Sequence, residues 1–517
     1  AFTGRGMARP HHFIASLLSR KARRPVKLRS YSDEEFLMGR AGGRALYRFR
    51  TGVMRDGRIR ALDADLLVDA GAYLETQMLF PRITAPFFHL LYKVDAIRYR
   101  ARLVYTNNLP YEWHHGGGIA QMHFGWGQHL DQVARDLRMD PVEFHLKNAV
   151  EKGHITRKGA TFASCGLKEC IQKAAKRAGW KRKYGKLPPN KGIGIAIGAM
   201  ASGGKGMYKH DTSAAFIKVG EDGTVSLLTG IPDMGQGSHT TMAIIAAEVL
   251  GIEPPDITII AGDTDVTPFD LGAFAQRGTF TTGNAVKAAA EDARSQLVKV
   301  AANRFDCKPG RVVFRARQVY PKGQPERAMP FKQLVYDTLH SREGRAVMGR
   351  GFYNSPKEMG SMAYSFGAQI AEVTVDPETG FVRVDRMIVA HDLGRAINPR
   401  VVEGQIDGQV FSGMSQVLYE EVLMDDGQPL NPSRLEYKLP RAFEVPEVEH
   451  ILVETNDPFG PFGAKEVGEG PIVCTVPAIA NAVAMALGEQ IREMPISPWR
   501  VLRAVSRLQD LADDDEL

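Results

Sequence analysis

At 517 residues the chain is longer than one ordinary hydrophobic core organises, so two or three domains are expected. Its 44% apolar and 24% charged residues are the balance of a soluble globular protein, and no apolar run approaches the roughly 20 residues that cross a bilayer. The net charge of +7 is interspersed, with no basic stripe or aromatic platform, which argues against a nucleic-acid partner but permits an anionic ligand.

In chain order, Ala1-Phe2-Thr3-Gly4-Arg5-Gly6 has no initiator Met and no signal-peptide architecture. It opens inside a Gly-rich loop, so the chain is expected to be part of a longer polypeptide or a processed piece. Residues 10–19 read as a short helix and 25–28 as a strand. Residues 47–70 alternate on both sides of Arg55-Asp56-Gly57-Arg58, a hairpin with a strong Asp-Gly turn signal. Hairpins recur at 216–228, around Glu221-Asp222-Gly223, and at 370–389, around Asp376-Pro377-Glu378-Thr379-Gly380. A hairpin followed by a Gly-rich loop, repeated, suggests related α+β units at irregular spacing.

Residues 128–137 place Leu130, Val133, Ala134 and Leu137 on one helical face. Asp140-Pro141-Val142-Glu143 is an N-cap with proline in the first turn, opening a helix through 150. The polar stretch 151–159 marks a domain boundary, a helix follows over 165–179, and the Lys- and Pro-rich 181–192 reads as a surface linker. The acidic tail 513–516 is a solvated end. The four cysteines, Cys165, Cys170, Cys307 and Cys474, form no C-x-x-C pair, so a cluster or zinc ribbon held by this chain alone is not expected. Scattered thiols fit a reducing cytoplasm.

Three loops carry the chemistry. Asp233-Met234-Gly235-Gln236-Gly237-Ser238-His239-Thr240 leads into an apolar helix over 242–250. Free N–H groups, a positive dipole end and close-approach glycines make an anion site there, and the Gln236 amide adds a donor. Ala275-Gln276-Arg277-Gly278-Thr279-Phe280-Thr281-Thr282-Gly283-Asn284 precedes an Ala-rich helix over 285–303, again donor-rich. Gly463-Ala464-Lys465-Glu466-Val467-Gly468-Glu469-Gly470-Pro471 fixes Glu469 where a loop enters the apolar run 473–487, closed by Gly488. Read alone, each has a plain alternative: a strand–turn–helix link for the first, a helix-dipole charge for Glu469. A fourth segment, Trp113-His114-His115-Gly116-Gly117-Gly118, suits a glycine-rich wall over a cofactor; with His123 and His129 its histidines match no ordinary zinc spacing.

The segments G-A-K-E-V-G-E-G-P, D-M-G-Q-G-S-H-T, A-Q-R-G-T-F-T-T-G-N-A and A-H-D-L-G-R-A-I-N-P-R-V-V-E-G-Q-I-D-G resemble, in order and over nearly the whole length, the molybdopterin-binding large subunit of the xanthine oxidase (molybdenum hydroxylase) family. Within it, V-E-T-N-D-P-F-G-P-F-G-A-K-E-V-G-E-G-P and S-C-G-L-K-E-C-I look most like 4-hydroxybenzoyl-CoA reductases. The resemblance implies an α+β fold of two molybdopterin-binding domains of mixed sheets and helices. The first, at 1–152, is its carboxy-terminal portion; the second, at 153–517, carries the glutamate loop. The family's amino-terminal hammerhead domain is absent before Ala1, so a companion chain or missing residues would supply it.

By the same resemblance Glu469 matches the catalytic base, and Gln236 a glutamine that contacts the metal centre or pterin. Phe2, Thr3, Gly4 and Arg5 match the end of a loop beside the metal. His115, Gly116, Gly117, Gly235, Gly237, Ser238, His239, Thr240, Ala275, Arg277, Thr279, Thr282, Gly283 and Gly468 are the remaining expected cofactor contacts. The implied cofactor is molybdopterin, in its cytosine dinucleotide form, with molybdenum held by the pterin dithiolene and no direct protein ligand. Iron–sulfur and FAD subunits are the implied partners, in an oligomer of heteromers.

Two departures bear on substrate. Where many members have A-F-R-G-F-G, this chain has His115 for the Arg and Gly117 for the second aromatic, and Gly6 stands where xanthine enzymes carry a Glu. Xanthine is therefore not expected; an aromatic acyl-CoA such as 4-hydroxybenzoyl-CoA is, with hydroxylation of an N-heterocycle or aldehyde as the alternative. A non-catalytic truncated scaffold is the rival of another class. A metal-independent hydrolase using Glu469 as base is a weaker rival, because the sequence shows neither a G-x-S-x-G elbow nor paired catalytic carboxylates.

Overall fold

The computed structural model describes residues 9–38, 41–74, 76–112, 115–156, 159–204, 210–342, 344–356 and 360–515. Three sheets carry the main helices. The first pairs Ala45–Val53 with Ile59–Gly71 as the expected hairpin, then adds Ala96–Tyr105 in parallel. Leu62, Ala64, Leu66 and Val68 point into the core, as a half-buried strand of period two requires. Helix Ile119–Asp136 covers this side, with Phe49, Phe88 and Trp126 in mutual edge and tilted contact.

The second sheet runs in the order Glu447–Val453, Val382–Asp392, Tyr364–Val375, Lys191–Ala201. The third runs Met348–Asn354, Thr212–Val219, Val225–Thr229, Ile257–Ala261. Each contains one expected hairpin and ends on one parallel pair.

Both four-stranded sheets use the same device to seat a helix. In Lys191–Ala201, Gly192, Gly194, Ala196 and Gly198 alternate with Ile193, Ile195 and Ile197, leaving one face almost bare. Helix Gly470–Leu487 lies on that face so closely that a Cβ at Gly194 would fall 2.2 Å from the Ala482 nitrogen. In the third sheet, a Cβ at Gly351 would fall 2.0 Å from the Ala285 carbonyl oxygen of helix Gly283–Phe305. Backbone rests on backbone, and the N-terminal ends of these two helices bear the candidate site.

Every residue from Gly470 to Ala484 is buried. This is the one described helix long and apolar enough to cross a membrane, and 83% of it is buried inside the protein, as in a core helix. Burying each of its Ile and Val side chains contributes roughly 1.5–3 kcal/mol.

One core gathers residues on both sides of the expected division at 152/153, from Ile59 to Ala504; a second is confined to Ala215–Val347. Several expectations are corrected. Residues 25–28 form no strand: they find no sheet partner and stay exposed or half-buried. The helix expected over 128–137 begins at Ile119, straight after the glycine turn Gly116–Gly118. The expected linker 181–192 is partly structured: Trp180–Lys183 is a short helix pinned by Trp180 Nε1, which donates to the Asp140 carboxylate at 3.0 Å.

Candidate active site

Glu469 occupies the N-cap of helix Gly470–Leu487, where Pro471 pre-sets the first turn. Its side chain does not cap that helix. The N–H groups of Glu469 and Gly470 each lie 3.4 Å from Glu466 Oε2 instead. Glu466 is 3% exposed, accepts from the Ser365 hydroxyl, and faces His391 Nε2 at 3.7 Å. Its own N–H donates to Ser202 Oγ at 3.1 Å. A protein carboxylate therefore fills the donor site that a helix start would otherwise offer to a ligand.

Freed from capping, the half-buried Glu469 carboxylate meets two other loops. Gln276 Nε2 donates to Oε2, and the Gly116 N–H approaches from the glycine turn. Burial pushes the Glu469 carboxyl up to about 7; the Gly116 N–H opposes that rise, and the nearby Glu466 carboxylate reinforces it. A carboxyl poised there can take or give a proton near neutral pH.

Gln276 reaches Glu469 because Ala275 and Gln276 are both left-handed, at φ 47 and 55. Such residues cost roughly 1–2 kcal/mol each, so something must hold the turn. The Gly203 N–H donates to the Ala275 carbonyl at 2.8 Å. Beneath it, Arg277 is buried and all five of its donors are engaged. Nε binds Asp211 Oδ1 at 2.9 Å, Nη1 binds Asp270 and the Gly272 carbonyl, and Nη2 binds the Thr212 carbonyl and Ser213 Oγ. Arg277 was expected on an anion; it braces the loop from inside. Thr282 donates to Asp270 Oδ2 at 3.0 Å, and a Cβ at Gly283 would press on Pro461 at 2.9 Å, so both serve packing. The turn Gly278–Thr282 is itself a π-helix running into the next helix, so that helix starts earlier than expected. Ala275 and Thr279 are half-buried.

The Gln236 loop is self-contained. Gln236 Nε2 donates to the Pro232 carbonyl at 3.0 Å and its Oε1 accepts from Met234 N at 2.6 Å, so the amide is spent within its own loop. Ser238 Oγ donates to the same carbonyl, and the His239 ring lies 3.2 Å from the Ile231 carbonyl. Gly237 packs on Val401, whereas Gly235, at φ 106, has nothing within 4 Å of its Cβ direction, and Thr240 is exposed. His115 opens the Gly116–Gly118 turn, in which Gly117 is left-handed and buried; Gly468 is half-buried directly before the glutamate. His123 and His129 turn inward, to the Ile119 carbonyl and to Thr51 Oγ1. Phe2, Thr3, Gly4 and Arg5, with Gly6, Trp113 and His114, lie outside the described residues.

Sequence reasoning therefore singled out Glu469 and the Gly116 turn but passed over Gln276, Glu466, His391 and Ser202. The signal for Glu466 was present: a second carboxylate three residues before Glu469, on the same tight loop. The residues around the site suit a large anionic cofactor in part: an open glycine at Gly235, an exposed Thr240 hydroxyl and the Gly116 turn offer room and donors, while Arg277 and the Gly470 helix start do not.

The molybdopterin cofactor-binding domain family matches the chain twice, over residues 1–149 and 169–446. The xanthine dehydrogenase molybdenum-binding subunit of Escherichia coli O157:H7 is 30% identical over 497 residues, 94% of this chain and 66% of its own length. The nicotine 6-hydroxylase large subunit of Paenarthrobacter nicotinovorans is 28% identical over 531 residues, 97% of this chain and 64% of its own. The chain thus spans about two thirds of the length of these relatives. Among solved structures, quinoline 2-oxidoreductase from Pseudomonas putida 86 superposes with a TM-score of 0.89 at 26% identity, covering 98% of this chain and 67% of that one.

Proposed function

Because the chain belongs to the molybdopterin cofactor-binding domain family, with the two-domain α+β architecture expected of it, we propose that it is the cofactor-binding, catalytic part of a molybdenum-dependent oxidoreductase. The observation that supports this most is Glu469: a half-buried carboxyl with a pKa of about 7, touched by donors from two other loops. The cofactor, when bound, supplies the two-electron redox chemistry and the oxygen exchanged with substrate. The protein's share is to place Glu469 as the base that accepts a proton from the reacting oxygen, or returns it in the reductive direction. Gln276 orients that carboxylate, and burial keeps its proton affinity near neutrality. Gly235, Thr240 and the Gly116 turn would hold the anionic arm of the cofactor, in a cytosine dinucleotide form.

The substrate is proposed to be an electron-poor aromatic carbon. Likeness of the 453–471 segment to 4-hydroxybenzoyl-CoA reductases favours an aromatic acyl-CoA. In the structure that segment is tied inward, with Thr455 on Asp392 and Asp457 on Ser164 at 2.7 and 2.6 Å. An N-heterocycle is supported by the names of the nicotine and quinoline enzymes. Electrons would leave through iron–sulfur and FAD subunits of a cytoplasmic complex, since the four cysteines here are free and scattered.

Molybdenum and pterin analysis of the purified complex, then turnover with artificial donors and acceptors against acyl-CoA, N-heterocycle and aldehyde classes, tests the reading. Glu469→Gln is expected to retain cofactor while losing turnover by about three orders of magnitude or more. Turnover near that of the unaltered enzyme would remove Glu469 from the mechanism, and a metal-free complex would favour the scaffold.

A further inference from the structure

Glu466 is a buried acid for which the proposed chemistry has no use, and burying a carboxylate without purpose is costly. Four elements converge on it. The strand Tyr364–Val375 supplies the Ser365 hydroxyl; the turn after Lys191–Ala201 supplies Ser202, which fixes the Glu466 backbone. The start of helix Gly470–Leu487 supplies the N–H groups of Glu469 and Gly470. The strand Val382–Asp392 supplies His391, which is 1% exposed and, among the described residues, has no hydrogen-bond partner on either ring nitrogen. Among the described residues, the charged group facing that ring is the Glu466 carboxylate at 3.7 Å. A Cβ at Gly470 would meet both Glu466 Oε1 at 2.5 Å and His391 Cε1 at 2.6 Å, so glycine is what lets this pair sit under the helix start.

We propose that Glu466 is a positioning residue for Glu469: held by the Ser365 hydroxyl and walled in by the His391 ring, its carboxylate holds the N–H groups of Glu469 and Gly470 and stands as a fixed like charge beside the base. It rests on the reading of Glu469 as base. The hydrogen bonds decide where the Glu469 backbone lies, and hence which way its side chain leaves the helix. The like charge disfavours ionisation of Glu469. The ionisable groups facing Glu466 are His391 from the strand, Glu469 from its own loop and Cys474 from the helix. Lys465, next in sequence, is turned away onto Asp392 at 2.6 Å and does not neutralise it.

The test reads the protonation of Glu469 directly. Its titration midpoint is obtained from the pH dependence of unfolding, as the difference between proteins with and without Glu469→Gln. The pair of measurements is repeated in a background carrying Glu466→Gln. The substitution is expected to lower the midpoint by about one pH unit, and to move the acidic limb of kcat/KM in the holoenzyme by the same amount with molybdenum content unchanged. Glu466→Asp, which keeps the charge, is expected to retain the raised midpoint. A midpoint unmoved by Glu466→Gln overturns the proposal.

If Glu466→Gln does not fold, Ser365→Ala removes the hydroxyl that bonds the carboxylate and His391→Gln alters the wall beside it; kcat is expected to fall at unchanged KM, and full kcat in both overturns the proposal. Should Glu469→Gln itself prove active, the base assignment fails while the unfolding titration still decides whether Glu466 sets its protonation.

Discussion

Replacing Glu469 by Gln should stabilise the protein, and by an amount that depends on pH. The folded carboxyl is raised to about 7 from an ordinary value of 4.5. Between those values the folded chain holds a proton that the unfolded chain releases, so stability from this group is full below the lower value and is lost as pH rises to the upper one. The displacement is worth about 3 kcal/mol at pH 8 and under about 1 kcal/mol at pH 5. Gln keeps the shape and hydrogen-bonding reach but has no proton to lose. The gain from Glu469→Gln is therefore expected to grow by about 2.5 kcal/mol between about pH 5 and pH 8. Urea unfolding of the cofactor-free protein and the variant, followed by fluorescence across that range, measures it. Parallel pH curves would show that the carboxyl is not held in a desolvated site, and would remove the physical basis for treating it as a base tuned to neutrality.

Two further outcomes test the scaffold that carries the site. Gly194→Ala places a carbon 2.2 Å from the Ala482 nitrogen, which only a displaced helix can relieve. A loss of about 2–3 kcal/mol is expected in thermal unfolding, against a change within about 0.5 kcal/mol for Gly310→Ala, which meets nothing within 4 Å. Arg277→Met would strand Asp211 and Asp270 as buried unpaired charges, costing about 3–5 kcal/mol in the same assay, with partial recovery when both acids become Asn.

The three hairpins were legible because Asp- and Gly-bearing turns and period-two alternation are local, and a helix end was legible where Gly488 stops it. Glu469 was legible because a tight glycine loop and an apolar helix flank it in sequence. Gln276 was not: its contact lies 193 positions away and depends on two left-handed residues that no composition announces. Arg277 misled for the opposite reason. A guanidinium near a helix start reads as an anion ligand until Asp211 and Asp270, distant in sequence, arrive to neutralise it. Residues 25–28 show the same limit, since β-propensity without a neighbouring edge makes no sheet.

The two strands stripped of side chains have a further effect on what this architecture can become. Where a helix rests on side chains, its height can be retuned by exchanging one packing residue for another. Here the separation between the acid on one helix and the loop opposite is fixed by main-chain contact at Gly194 and Gly351, which leaves no methyl groups to trade. New specificities on such a frame must come from the loops at the helix ends, while the gauge between its two halves stays constant.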